Sequence, residues 1–295
     1  MKVYDTQHIR NIALFGHAGS GKTTLTESFS LLSGAITRKG QVEERNTISD
    51  YSDIEHERGS SLFVTPLYIE YNNFKINILD TPGFNDYIGE VISAAKAADT
   101  GLILINAQNG MEVGAENGWQ YCEVNANPVV FCISKLDVDQ ANFDNAVDQI
   151  QALAGKSATP VQYPLKTGAG FNEVIDLLKM KLLSFDDKGK MNIDDIPASE
   201  ADKVEKLRSE LIESVAETDE DLMNKYFEEG TLTEDEINTG LKKALVARQI
   251  FPIFCISGKT NNGASRVLDF VTDVCPSPLE LPPVKTLEEK ELAYD

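Results

Sequence analysis

The sequence predicts an α/β fold, a mainly parallel sheet with helices on both faces. Two observations carry this. Short apolar runs alternate with segments whose apolar residues recur at helical spacing. Motifs rich in glycine, lysine and aspartate fall at the carboxyl ends of those runs, where open α/β sheets bind ligands.

The elements follow in order. Ile12-Ala13-Leu14-Phe15 is a continuous apolar run, as expected of a buried parallel strand. Leu25, Phe29 and Leu32 mark a helix over 22–33, with Gly34 at its C-cap. Residues 35–60 are polar and lack apolar periodicity, which predicts a long mobile loop. A hairpin is expected over 62–80: Leu62-Phe63-Val64 and Leu67-Tyr68-Ile69 are apolar, and Asn72-Asn73 makes the turn. Phe74, Ile76 and Ile78 then alternate with polar residues. A helix over 87–98, a strand over 102–106, a strand over Val129–Ile133 and a helix over 141–153 continue the alternation. Ile253–Ile256 closes it as a further strand.

Residues 158–250 separate the last two strands and read as a small inserted α+β subdomain. It should hold a short strand at Val161–Leu165 and a helix at Phe171–Met180. Leu207, Leu211 and Val215 then give one apolar helical face, and Leu241 and Leu245 a second. Thr218-x-x-Asp221 and Thr233-x-x-Glu236 have the spacing of capping boxes. From 184 to 240 there are 18 acidic and 6 basic residues. This is either a solvated acidic surface or a surface for docking a protein. The division expected is a nucleotide-binding domain at 1–157 and 251–280, the insert at 158–250, and a linker at 281–295 toward a second domain.

Composition limits the partners. The net charge of −20 argues against independent DNA or RNA binding, which needs Lys and Arg at the phosphates. No apolar run approaches the ~18 residues that would span a membrane. The N-terminus has no signal-peptide pattern, and Cys122, Cys132, Cys255 and Cys275 have no ligand spacing. Buried thiols in a reducing cytoplasm are therefore expected.

Residues 16–23 read Gly-His-Ala-Gly-Ser-Gly-Lys-Thr, which fits the phosphate-binding P-loop between a strand and a helix. Gly16, His17, Ala18, Gly19, Ser20 and Gly21 should wrap a phosphate with backbone N–H groups, and Thr24 continues the helix start. Lys22 should reach the β- and γ-phosphates, and the Thr23 hydroxyl should bind Mg²⁺. Asp80, at a strand end, can hold Mg²⁺ through water, and Gly83 can offer its N–H to the γ-phosphate. Asp137, in Ser134-Lys135-Leu136-Asp137, can accept two hydrogen bonds from guanine, and the Lys135 stem can lie on the base. Ser257-Gly258-Lys259 can present N–H groups to the guanine carbonyl.

In that order these residues resemble the translational GTPases, and within them elongation factor G. Glu55-His56-Glu57-Arg58-Gly59 resembles switch I, Asp80-Thr81-Pro82-Gly83 switch II, and Ser134–Asp137 the Asn-Lys-x-Asp base motif. Gly168–Met180 resembles the start of the insert peculiar to that branch, and Cys275-Pro276-Ser277-Pro278-Leu279 its closing segment. The resemblance implies GTP or GDP with Mg²⁺, the ribosome (its RNA and a stalk protein) as partner, a monomer, and a G domain cut from a longer factor, with a natural stand-alone GTPase as the alternative. It also makes Ser61 the Mg²⁺-closing switch I hydroxyl.

Four positions depart from the family pattern. Gly19 replaces an aspartate, Ser61 a threonine, Ser134 an asparagine, and Phe84 the histidine that follows switch II. Each also has a neutral reading, drift at a tolerant position. Phe84 matters most, because phenylalanine has no hydrogen-bonding atom to place the attacking water. Removing such a group costs about 10²–10⁴-fold in rate, roughly 3–5 kcal/mol. The expectation is a nucleotide switch with slow or absent turnover. His56 could substitute, or be a solvated loop residue. His17 is expected to pack in the P-loop. The alternatives are a ribosomal protection or release factor and a non-hydrolysing regulatory G protein.

Overall fold

A run of apolar residues between Asp5 and the P-loop forms β1 (Ile9–Phe15), and the first turn after the loop starts α1 (Lys22–Leu32). The computed structural model describes residues 2–186, 189–283 and 290–291. After α1 come α2 (Asp53–Arg58), β2 (Thr65–Tyr71), β3 (Phe74–Asp80), α3 (Ile88–Ala97) and β4 (Thr100–Asn106). Next are α4 (Val113–Val124), β5 (Val129–Ser134), α5 (Phe143–Ala154) and β6 (Ala158–Pro160). β7 (Gln162–Pro164), β8 (Glu173–Asp176), β9 (Lys181–Phe185) and β10 (Met191–Asp194) precede three helices. These are α6 (Ala201–Ala216), α7 (Glu220–Glu229) and α8 (Glu234–Val246), and β11 (Phe251–Cys255) and α9 (Ala264–Asp273) complete the order.

The large sheet has the order β2-β3-β1-β4-β5-β11-β6. β2 is antiparallel to β3, and the other neighbours run parallel. Helices cover both faces, so β4, β5 and β11 are buried along their whole length. The second sheet, β10-β9-β8-β7, is antiparallel and belongs to the segment between β6 and β11. The large sheet takes in Ala158–Pro160, just past the division expected at 157. The expected linker falls partly at 284–289 and 292–295, outside the described residues.

Four expectations are corrected. Leu62-Phe63-Val64 is not part of the hairpin. The N–H groups of Leu62 and Phe63 donate to the Glu55 carboxylate (2.9 and 3.3 Å), and that of Val64 to Glu90 (2.7 Å), so none is free to pair with a strand. The loop over 35–60 contains α2, started by a capping box between Ser52 and Glu55. Phe171–Met180 is not a helix: it forms β8 between β7 and β9, and buried Asp176 then accepts the N–H groups of Leu178 and Lys179 (3.0 and 2.9 Å) in a turn. The cap of α7 is Asp219, which accepts from Asp221 and Leu222, while the Thr218 hydroxyl donates to the Val215 carbonyl. The box at Thr233 and Glu236 forms as expected.

Two features fix the layers around the site. α4 carries glycines that lower helix propensity. A Cβ at Gly118 would lie 2.6 Å from Phe15 Cβ, so the helix can lie against β1 only with glycine there. On the opposite side, Arg266 of α9 meets Asp176 at 2.7 Å, with both side chains buried, and joins the small sheet to α9.

Candidate nucleotide-binding site

The P-loop leaves β1 and enters α1 with Gly21 in the left-handed region as N-cap. Its backbone N–H groups and the helix start therefore face one cleft of about 740 Å³ beyond the carboxyl ends of the strands. The cleft wall includes Ala18, Gly19, Ser20, Gly21, Lys22, Thr23 and Thr24 of this loop. Ser61, Gly83 and Phe84 join it from the two switch segments, and Ser134, Lys135, Asp137, Gly258 and Lys259 from the two base motifs. Residues spread over most of the chain are thus brought together as the motif order implied. Gly16, His17, Asp80 and Ser257 support the cleft rather than line it.

Lys22 is buried, and its ammonium donates to the carbonyls of Gly16 (2.8 Å) and His17 (3.0 Å). Burial lowers its pKa to about 8, against the opposing pull of Asp80, Asp50 and Glu112. Gly83 packs directly on this lysine. A Cβ at Gly83 would lie 2.4 Å from the Ala18 nitrogen and 2.6 Å from Lys22 Nζ. The Ala18 N–H donates to the Gly83 carbonyl at 3.1 Å, joining the P-loop to switch II.

A cluster of oxygens lies under the loop. Thr23 Oγ1 is 3.3 Å from Ser61 Oγ, and the Ser61 hydroxyl donates to Asp50 at 2.6 Å. The Ser49 hydroxyl donates to Asp80 Oδ2 at 2.7 Å, while Asp80 Oδ1, also buried, has no partner among the described residues. Burial pushes the Asp80 carboxyl up to about 6 despite the Ser49 bond and Lys22, and raises that of Asp50. Hydroxyls and carboxylates with an unused buried oxygen fit a hard divalent cation. Mg²⁺ there would neutralise phosphate charge, with Thr23 and Ser61 as direct ligands and Asp80 as the water-held one. Asp50 joins this group although no motif marked it. Only the return of switch I over the P-loop brings it near.

At the base end, Ser134 Oγ lies 2.7 Å from the Ser20 carbonyl and 3.1 Å from the Ile105 carbonyl. The serine therefore ties the base motif to the P-loop. Lys135 adopts φ 57°, which turns the loop so that Lys135 and Asp137 both reach the cleft. Ser257 is buried and accepts the Thr260 N–H at 3.3 Å, holding the second base loop. Lys39 also lines the cleft, although no motif marks it.

The histidines lie off the reaction centre. His17 Nδ1 accepts the Gly114 N–H (3.3 Å), and its Nε2 is 3.8 Å from Glu112. His56 is half-buried on α2 with Nε2 2.6 Å from the Asp50 carbonyl, which corrects its reading as a solvated loop residue. Phe84 lies at the cleft wall beside Gly83 and is 45% exposed, so its ring is free to meet whatever enters.

Residues 7–277 match the Elongation factor Tu GTP binding domain. The chain belongs to this family. It is a GTP-binding domain of the translational GTPase type. A crystal structure of a Thermus thermophilus protein is similar to it over 93% of the chain, with 30% identity and a TM-score of 0.87. The chain spans 41% of the length of that relative. No helix of this GTP-binding domain, among the described residues, is long and apolar enough to cross a membrane.

Proposed function

We propose that this GTP-binding domain serves an elongation factor G-like translation factor on the ribosome, and that it grips GTP while hydrolysing it slowly. The observation that carries the second half is Phe84, a hydrocarbon ring at the cleft wall beside Gly83. The P-loop, Lys22, Thr23, Ser61 and Asp80 supply phosphate and Mg²⁺ contacts. Asp137 and the Gly258–Lys259 backbone supply guanine contacts. Nothing on the side chain of Phe84 can order the attacking water or share its proton. His56, with its Nε2 on the Asp50 carbonyl, does not take that place. The segment 158–250 acts as an inserted subdomain whose acidic helices α6 to α8 offer a face to a ribosomal stalk protein. A cytoplasmic monomer within a longer chain completes the reading.

The test is phosphate release from GTP, with and without ribosomes, by the wild type and by Phe84→His. The wild type should stay near background. The histidine variant should gain about 10²-fold or more with ribosomes, since one positioned proton-transfer group accounts for about 10²–10⁴. Wild-type turnover equal to that of the variant would overturn slow hydrolysis. Failure to retain GDP at micromolar concentration would overturn the grip.

A further inference from the structure

Lys39 lies in the polar segment after α1, far in sequence from the base motifs, yet its ammonium is held among their backbone oxygens. It donates to the Gly258 carbonyl, to Asn261 Oδ1 at 2.7 Å and to Ser28 Oγ at 2.9 Å, with the Lys259 carbonyl at 3.5 Å. The Ser28 hydroxyl, buried in α1, lies 2.9 Å from the same Gly258 carbonyl. Lys39, aided by a Ser28 proton that the Thr24 carbonyl shares at 2.9 Å, thus fixes the direction of one peptide group. A trans peptide sets its C=O and its N–H antiparallel. With the Gly258 carbonyl turned to Lys39 and Ser28, the Lys259 N–H is turned the opposite way.

The approach of Lys39 is itself fixed. Glu27 of α1 is fully buried, and its two oxygens accept the N–H groups of Gly40 (2.7 Å) and Ile48 (2.6 Å). One carboxylate therefore grips both ends of the 40–48 loop, and Lys39 leads directly into it. The asparagine at 262 holds the far side of the base loop: the Ser257 N–H donates to its carbonyl at 2.9 Å.

We propose that Lys39 is a positioning residue for guanine, which aims the Lys259 N–H at the base carbonyl oxygen by holding the Gly258 carbonyl behind it. The segment that closes over the phosphates is thereby also fastened to the base loop. Discrimination of guanine by its carbonyl oxygen depends on that segment being in place. This inference rests on the guanine reading of the cleft.

The experiment compares GDP with 2-aminopurine riboside 5′-diphosphate, which lacks that oxygen and the N1–H beside it, by calorimetric titration. The wild type should prefer GDP by about tenfold or more, since the analogue loses the bond to the Lys259 N–H and one of the two to Asp137. Lys39→Met should lose about tenfold in GDP affinity and stay within about twofold for the analogue. Ser28→Ala should shift the ratio in the same direction by about threefold, since it removes the weaker donor. Equal weakening of both ligands, or an unchanged GDP affinity, in a folded Lys39→Met would overturn the role of Lys39. A wild type that does not distinguish the two ligands would overturn the guanine reading itself.

Discussion

The two ends of the cleft ask different things of a single side chain. At the base end the Ser134 hydroxyl reaches the Ser20 carbonyl at 2.7 Å. The link between base motif and P-loop survives because the partner is fixed protein backbone within reach of a short side chain. At the phosphate end Phe84 stands at the cleft wall beside Gly83, where on the proposed reading the partner to be met is a water molecule. No rearrangement of phenylalanine restores a donor or acceptor. A residue that bonds the protein to itself tolerates a shorter polar substitute. A residue that acts on a transient species does not tolerate an apolar one.

The ends also differ in how charge is stored. The phosphate end buries Lys22, Asp50 and Asp80, and leaves Asp80 Oδ1 without a partner among the described residues. At the base end Lys39 is also held among oxygens, with its pKa also lowered to about 8 by burial, but the buried carboxylate that faces it, Glu27, has both oxygens bonded. Lys22→Ala gives the largest expected effect. Triphosphate affinity should fall by about 10²–10³, the loss of a charge-assisted contact in a dry site. The nucleotide-free melting temperature should nevertheless not drop. With its pKa lowered to about 8, the buried ammonium costs stability at neutral pH, by about 3 kcal/mol at most. A large fall in melting temperature without nucleotide would show that Lys22 holds the loop together and would remove this contrast.

Ser134→Ala probes the base end. It leaves the Ser20 and Ile105 carbonyls without that donor and should weaken GDP binding by about 1–2 kcal/mol, or roughly 5- to 30-fold. Phe84→Ala should leave GDP affinity within about twofold, because on the proposed reading its ring, beside Gly83, faces the γ-phosphate that GDP lacks. If Phe84→Ala weakens GDP as much as Ser134→Ala does, Phe84 is part of the grip and the two ends are not distinct. Titration of both variants with GDP decides this.

Much of the site was legible because its motifs are local. Each lies within a few residues at a strand end, and parallel topology carries all such ends to one edge. Lys39, Asp50 and Glu27 were not legible, since their roles depend on the path of residues 35–60, which has no apolar period. In the fold, β8 was misread because Val174, Ile175, Leu177 and Leu178 are all buried. A continuous apolar run cannot separate a strand covered on both faces from a buried helix. α4 was missed because Gly114 and Gly118 weaken its intrinsic signal. Packing against β1, which requires Gly118, outweighs that propensity.

The smallest expected effect tests whether stored charge is particular to the phosphate end. Asp99, at the start of β4, is half-buried and accepts from Asn11 Nδ2 at 2.8 Å. Burial raises its carboxyl to about 6, as it does for Asp80, but no nucleotide reaches it. A carboxyl whose folded-state pKa is raised stabilises the fold fully below its unfolded value of 3.8, and that stabilisation is lost as pH rises through about 6. Asp99→Asn keeps an acceptor for Asn11 and removes the charge. It should raise stability at pH 7.5 by about 1–2 kcal/mol after allowance for partial exposure, or about 2–4 °C in melting temperature. The gain should vanish near pH 4, and GDP affinity should not change at either pH. Asp80 should differ, because Mg²⁺ and phosphate would relieve its charge in the loaded protein. A gain for Asp99→Asn that persists at pH 4 would assign the effect to packing, and would leave the phosphate end as the region where buried charge costs stability.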